Sequence, residues 1–177
     1  MGFLRNIRLA KYFRMRPKEG HLLFKGDRVA MVPAGMFSEL YLGLTEISGK
    51  GGAASALYIG AKKSSSVLYG IAEKMYGKEA LKSKEDSINL IDDLISIAGY
   101  GRCEVVKADL ENEEIVVRMK GLLTSSSVGK SDVPVCHVER GAVTGIIEKI
   151  LGKPFNGRET KCQAMGDDYC EFVITSL

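Results

Sequence analysis

Three cysteines late in the chain, Cys136, Cys162 and Cys170, are the residues best spaced to do chemistry. The segment GRETKCQAMGDDYCEFVITSL reads as a strand, a tight turn at Gly166-Asp167 and a closing strand. With that turn centred on Gly166, Cys162 and Cys170 stand equally far from it, opposite one another and on one face. Opposed side chains of an antiparallel pair have Cβ atoms roughly 4.5–5.5 Å apart, which lets two sulfurs reach a single metal ion. Cys136 lies just past Pro134 at an expected helix start, where the helix dipole and free N–H groups favour the thiolate, the form that binds metal. Three soft anionic ligands with room for a fourth are what tetrahedral zinc accepts. Spacing leaves the fourth ligand open between His137, Glu159 and Cys103. Glu159 lies three residues before Cys162, an odd offset that puts it on the opposite face of a regular strand, so it needs a bulge or a strand start to reach the metal. A cross-strand disulfide, three unconnected buried thiols and a redox-active pair compete with zinc for the same pattern.

The elements that must position these residues belong to a chain of 177 residues, 45% hydrophobic, long enough for one domain with a real core. We read a basic arm over residues 1–20 and a single domain over residues 21–177. No run approaches the roughly 18 apolar residues of a membrane span, and no secretory signal is visible, which implies a cytoplasmic, reducing setting in which four cysteines serve as ligands or buried thiols. The formal charge of +3 is uneven. Arg5, Arg8, Lys11, Arg14, Arg16 and Lys18 face only Glu19 in the arm, and the remainder is net negative, with no global electrostatic reason to grip nucleic acid. Apolar residues of the arm are interleaved with the basic ones, so no membrane-lying face is expected.

From His21, two short apolar runs flank Gly26-Asp27 as in a hairpin. Residues 37–75 read as two small-residue-rich helices with a break near Ser48 to Gly52. The SGKGGAAS run there departs from a phosphate-binding loop, since Lys50 is followed by Gly51. Ser83 and Asp86 cap a helix that carries Ile88, Ile91, Leu94 and Ile95 and stops at Gly99. Two strands follow around Glu111 to Glu113, then a Ser-rich loop, LLTSSSVGKSD, and a helix from about Cys136 to Leu151 ended by Gly152 and Pro154. Tyr41, Leu44, Leu57, Tyr58 and Met75, on the lightly charged central segment, are candidate pocket residues, although most such stripes are core.

The pattern Cys136, then Glu159, Cys162 and Cys170 in ETKCQAMGDDYCEFVI, resembles the C-terminal signature of the 4-vinyl reductase, or hydrocarbon-binding, domain family. The resemblance covers roughly residues 20–177 and is specific only in the last forty or so. It implies that the fourth zinc ligand is Glu159 and that the four-ligand zinc is structural. The implied fold is α+β, a small antiparallel sheet packed with helices, akin to vesicle-tethering-particle subunits and aromatic-sensor domains. It further implies a homodimer enclosing a pocket for a small hydrophobic ligand, hence a binding or sensing domain as the leading reading, with the enzyme question left open. A subunit of a tetrapyrrole vinyl-group reductase and a non-catalytic assembly adaptor are the alternatives. Phenol sensors of this kind use a pocket tryptophan, which this chain lacks, so the implied ligand is more aliphatic or isoprenoid.

Overall fold

Glu114–Lys120 alternates apolar and polar side chains, and in the computed structural model, which describes residues 9–81 and 83–177, it forms a strand with Ile115, Val117 and Met119 turned inward. It is β5 of a four-stranded antiparallel sheet that also contains β4 (Arg102–Asp109), β6 (Phe155–Lys161) and β7 (Cys170–Ser176), in the order β4-β5-β7-β6. The expected turn between β4 and β5 is present, with Glu113 at φ 57°. A smaller antiparallel sheet, β1 (Phe13–Arg16), β2 (His21–Phe24) and β3 (Asp27–Val29), stands at the start. The β2–β3 hairpin is the one expected at Gly26-Asp27. The arm behaves differently: Phe13 to Arg16 pair with Phe24 to His21, so a boundary at residue 20 falls on a turn inside this sheet. Arg5 and Arg8 lie outside the described residues.

Helix α1 (Gly35–Tyr76) runs 42 residues and is broken at Gly49, whose φ of 70° and ψ of 168° leave the helical region within the expected stretch. Ser83 caps α2 (Lys84–Asn89) through the Asp86 N–H. Where one helix is expected there are two, because the chain turns at Leu90 into α3 (Ile91–Ile97). That turn lets Ile88, Ile91 and Ile95 all reach the core. The Ser-rich segment, expected as a loop, holds a helical turn and a half, α4 (Leu123–Val128), because the buried Glu139 carboxylate accepts from the Thr124 N–H and hydroxyl at 2.9 and 3.0 Å. A cap delivered from fifteen residues away leaves no local sequence signal.

Helix α5 (His137–Leu151) is buried almost all round, from His137 to Ile147, because it lies between the large sheet and α1. Gly141 and Gly145 make that approach possible. A Cβ at either position would collide with Tyr58, Lys62 or Ser65 of α1. The fold is thus the expected α+β arrangement, a sheet covered by helices. Among the described residues, no helix is long and apolar enough to cross a membrane.

Candidate metal centre

Cys136 occupies the N-cap of α5, and its own N–H donates to Glu159 Oε2 at 3.1 Å. Its sulfur lies 3.9 Å from Cys162 Sγ and 3.5 Å from Cys170 Sγ. One ligand atom from each of Cys136, Glu159, Cys162 and Cys170 falls within 4.8 Å of the others, and all four residues are buried. These are the four site residues the sequence pointed to. Cys103 does not join them: it sits on β4 opposite Met119 with its thiol pushed up by burial. His137 does not join them either; its ring lies 5.5 Å from that of Tyr41.

Glu159 reaches the group by a bulge. The β6–β7 register pairs Glu159 with Phe172 and Lys161 with Glu171, leaving Thr160 as the extra residue, and its hydroxyl donates to Glu171 Oε1 at 2.9 Å. The turn that follows is wider than expected. Cys162 leads into a 3₁₀ turn, Gln163–Met165, ended by Gly166 at φ 101°. Within it the Cys162 N–H donates to Asp167 Oδ2 at 2.8 Å and the Gln163 N–H to Cys170 Sγ at 3.3 Å. Ser125 Oγ of α4 stands 3.8 Å from Cys170 Sγ. Sequence reasoning does not single out Asp167, Gln163 or Ser125. Asp167 alone carries a signal, as an Asx residue in a glycine turn.

Electrostatics describe a group short of positive charge. Hydrogen bonds from the Cys136 and Cys162 thiols hold the Cys170 thiol down to about 4, and the same sharing of protons pushes Cys136 up. Burial, then the Cys162 sulfur, pushes the Glu159 carboxyl up to about 9. Glu159 Oε1 is buried and has no hydrogen-bond partner. A tetrahedral ion with metal–sulfur bonds of about 2.3 Å would set its sulfurs about 3.8 Å apart, close to the separations present. All four cysteines are free thiols. The residues therefore fit a metal ion.

The expected pocket residues scatter. Tyr41 is in the core, with Leu44 and Leu57 packed against it. The Tyr58 hydroxyl accepts from the Gly157 N–H at 3.0 Å. Of the five, Met75 alone lines the main apolar cavity, about 410 Å³ between the small sheet (Phe13, Leu22, Phe24), α1 (Leu68, Ile71, Met75) and the α3 end (Leu94, Ile97, Tyr100). Phe13, which reads as part of the arm in sequence, is a wall of this cavity because β1 pairs with β2.

The family model of the 4-vinyl reductase domain matches residues 115–176, from β5 to β7. An uncharacterized protein of Methanocaldococcus jannaschii is 34% identical over 111 residues, covering 61% of this chain and 62% of that one. The chain thus spans less than two thirds of the length of this curated relative. Among solved structures, the phenol-responsive sensory domain of the transcription activator PoxR, with phenol, superposes with a TM-score of 0.81 at 18% identity over 99% of this chain and 91% of that one. A vinyl-4-reductase family protein from Methanocaldococcus jannaschii gives 0.57 at 16% over 84% of each chain. A trafficking protein particle complex subunit 3 from Naegleria fowleri, covalently bound to palmitic acid, gives 0.61 at 13% over 81% and 95%. At these identities the likeness is one of fold, and it is the expected one. Residues 115–176, the stretch that contains Cys136, Glu159, Cys162 and Cys170, match the 4-vinyl reductase domain family.

Proposed function

We propose that the chain is a zinc-braced module that binds or senses a small hydrophobic molecule. The observation that carries this reading is the apolar cavity of about 410 Å³, whose lining offers a single polar side-chain group, the Tyr100 hydroxyl. That volume is in the range of small-molecule sites, and a lining so poor in hydrogen-bonding groups selects a hydrocarbon-like body. The palmitate-bearing and phenol-bearing neighbours support such a use of the fold.

Zinc would be held by Cys136, Glu159, Cys162 and Cys170, where it supplies cross-linking and not turnover, since four protein ligands leave no place for a reactive water. The chain's own residues prepare that site. The Gln163 N–H steadies the Cys170 sulfur, and Asp167 orients the Cys162 backbone. The clamp would tie the N-cap of α5 to both arms of the terminal hairpin. Large apolar side chains exposed on and before α1, Met31 and Ile47 above all at 81% and 85%, support a homodimer formed through that helix. Four free thiols suit the reducing cytoplasm.

Mass spectrometry under native and then denaturing conditions tests the reading. One zinc per chain, a dimer mass and a hydrophobic molecule released on denaturation are expected. Protein that carries no such molecule and takes up neither a hydrocarbon nor a fatty-acid probe would overturn the binding role. Elemental analysis blank for zinc would overturn the clamp.

A further inference from the structure

The small sheet has two unlike faces. Phe13 pairs with Phe24 and Leu22 with Val29, and these four side chains line the apolar cavity. Successive side chains of a strand point to opposite sides, so Arg14, Arg16, His21, Leu23 and Arg28 stand on the outer face, with Arg14, Leu23 and Arg28 in one cross-strand row. The interleaving of basic and apolar residues that denies the arm a membrane-lying face as a helix gives Phe13 to Arg16 two distinct faces as a strand.

The outer face is basic and largely unneutralised. Residues 11–28 hold Lys11, Arg14, Arg16, Lys18, Lys25 and Arg28 against Glu19 and Asp27. Asp27 is taken by Lys74 of α1 at 2.5 Å, and Glu19 by Arg16 at 3.3 Å and His21 at 3.4 Å. Arg14, Lys18 and Arg28 are exposed and have no ion-pair partner among the described residues. Lys11 and Lys25 both lie over the Tyr12 ring, 4.9 and 4.6 Å from its centroid, so two like charges gather on one aromatic side chain. Together with Arg14, Arg16 and Leu23 these three residues line a depression of about 300 Å³. Phe13, 45% exposed on the edge strand β1, borders both this depression and the apolar cavity.

We propose that the outer face of the small sheet docks on an anionic phospholipid bilayer, with lipid phosphates against Lys11, Arg14, Lys25 and Arg28 and with Phe13 at the border between bilayer and cavity. Charge complementarity sets the sign of the partner. The cavity behind the sheet decides for a bilayer over a nucleic acid, because a hydrophobic molecule is stored in a bilayer and not in water, and this choice rests on the binding role given above. Each basic group held near an anionic surface strengthens partitioning about fivefold, so several on one face make a dock that salt dissolves.

Flotation of the 177-residue protein with vesicles tests this, using phosphatidylcholine alone and phosphatidylcholine with an equal part of phosphatidylglycerol, each at low and high salt, beside anisotropy with a mixed-sequence DNA oligonucleotide. Binding at least about tenfold tighter to the anionic vesicles is expected, and it should be lost at high salt. Arg14→Glu combined with Arg28→Glu should weaken it at least about tenfold. Lys63→Glu combined with Lys149→Glu makes the same change of net charge at exposed positions of α1 and α5 and should weaken it less than about threefold, with thermal melts confirming that both variants fold. Equal binding to the two kinds of vesicle, equal loss from the two variant pairs, or tighter binding to the oligonucleotide than to vesicles would overturn the proposal. A fatty-acid probe separates it from the cavity's role: protein that takes up the probe from solution yet ignores anionic vesicles sinks the dock alone, and protein that floats with them but takes up no probe sinks the cavity's role alone.

Discussion

Glu159 enters the metal-binding group through a single extra residue, Thr160, which turns the carboxylate onto the face that carries Cys162. Glu159→Gln keeps the shape and the Cys136 N–H contact but removes the anion, so zinc affinity should fall at least tenfold in a chelator competition while the fold persists. Asp167→Ala removes the partner of the Cys162 N–H without touching a ligand, and such supporting groups are worth about 10–100-fold in metal affinity. Acid should act in the same direction. Metal-free, the group keeps protons, with Glu159 up to about 9, and zinc must displace them, so apparent affinity should rise with pH between about 6 and 8. A pH series of the same competition checks it, and a flat profile would mean that the ligands are already ionised without metal. At this scale the sequence was most legible: residue type and spacing picked the three sulfurs, and resemblance picked the carboxylate. Asp167 and Ser125 were invisible as parts of the site because their roles depend on the shape of a turn and on a helix that forms only against Glu139.

Elements meet here by close approach of backbones. Gly145 faces Ser65 and Lys62 of α1 so tightly that Gly145→Ala must push α5 outward, and we expect a loss of about 1–3 kcal/mol in denaturant unfolding. Because α5 also presents Cys136, the same variant should bind zinc more weakly, a coupling that metal titration would reveal. Ile71→Trp on α1 should fill the apolar cavity, abolishing uptake of a fatty-acid probe while shifting the melting temperature little. Most elements were legible, since alternation marked β5, and Ser83, Gly99 and Gly152 marked helix ends. The cavity was not. Its walls come from three regions far apart in sequence, and periodicity along α1 cannot tell which apolar side chains face α5, the core or an empty space.

For the whole molecule, a metal held by these four residues would be a brace on a domain that already has a core. Ile115, Val117, Ile174, Ile146 and Ile147 are fully buried and are not among the ligands. Stripping zinc with a chelator should therefore lower the melting temperature by roughly 6–20 °C, the equivalent of about 3–5 kcal/mol, and leave most of the circular dichroism signal intact. A collapse of secondary structure on chelation would show that the metal organises the fold itself. Dimerisation through α1 should appear as a concentration-dependent mass in ultracentrifugation, and Ile47→Glu should shift it to monomer. The order of the large sheet carries a consequence for biogenesis. One of its two interior strands, β7, joins β5 to β6 and brings Cys170, yet it is made after all three of its sheet-mates. A nascent polypeptide stalled before residue 170 holds an unpaired edge on β5 and an incomplete set of thiols, so the sheet can close and the cysteine group can assemble only once the segment from Cys170 to Ser176 has emerged from the ribosome.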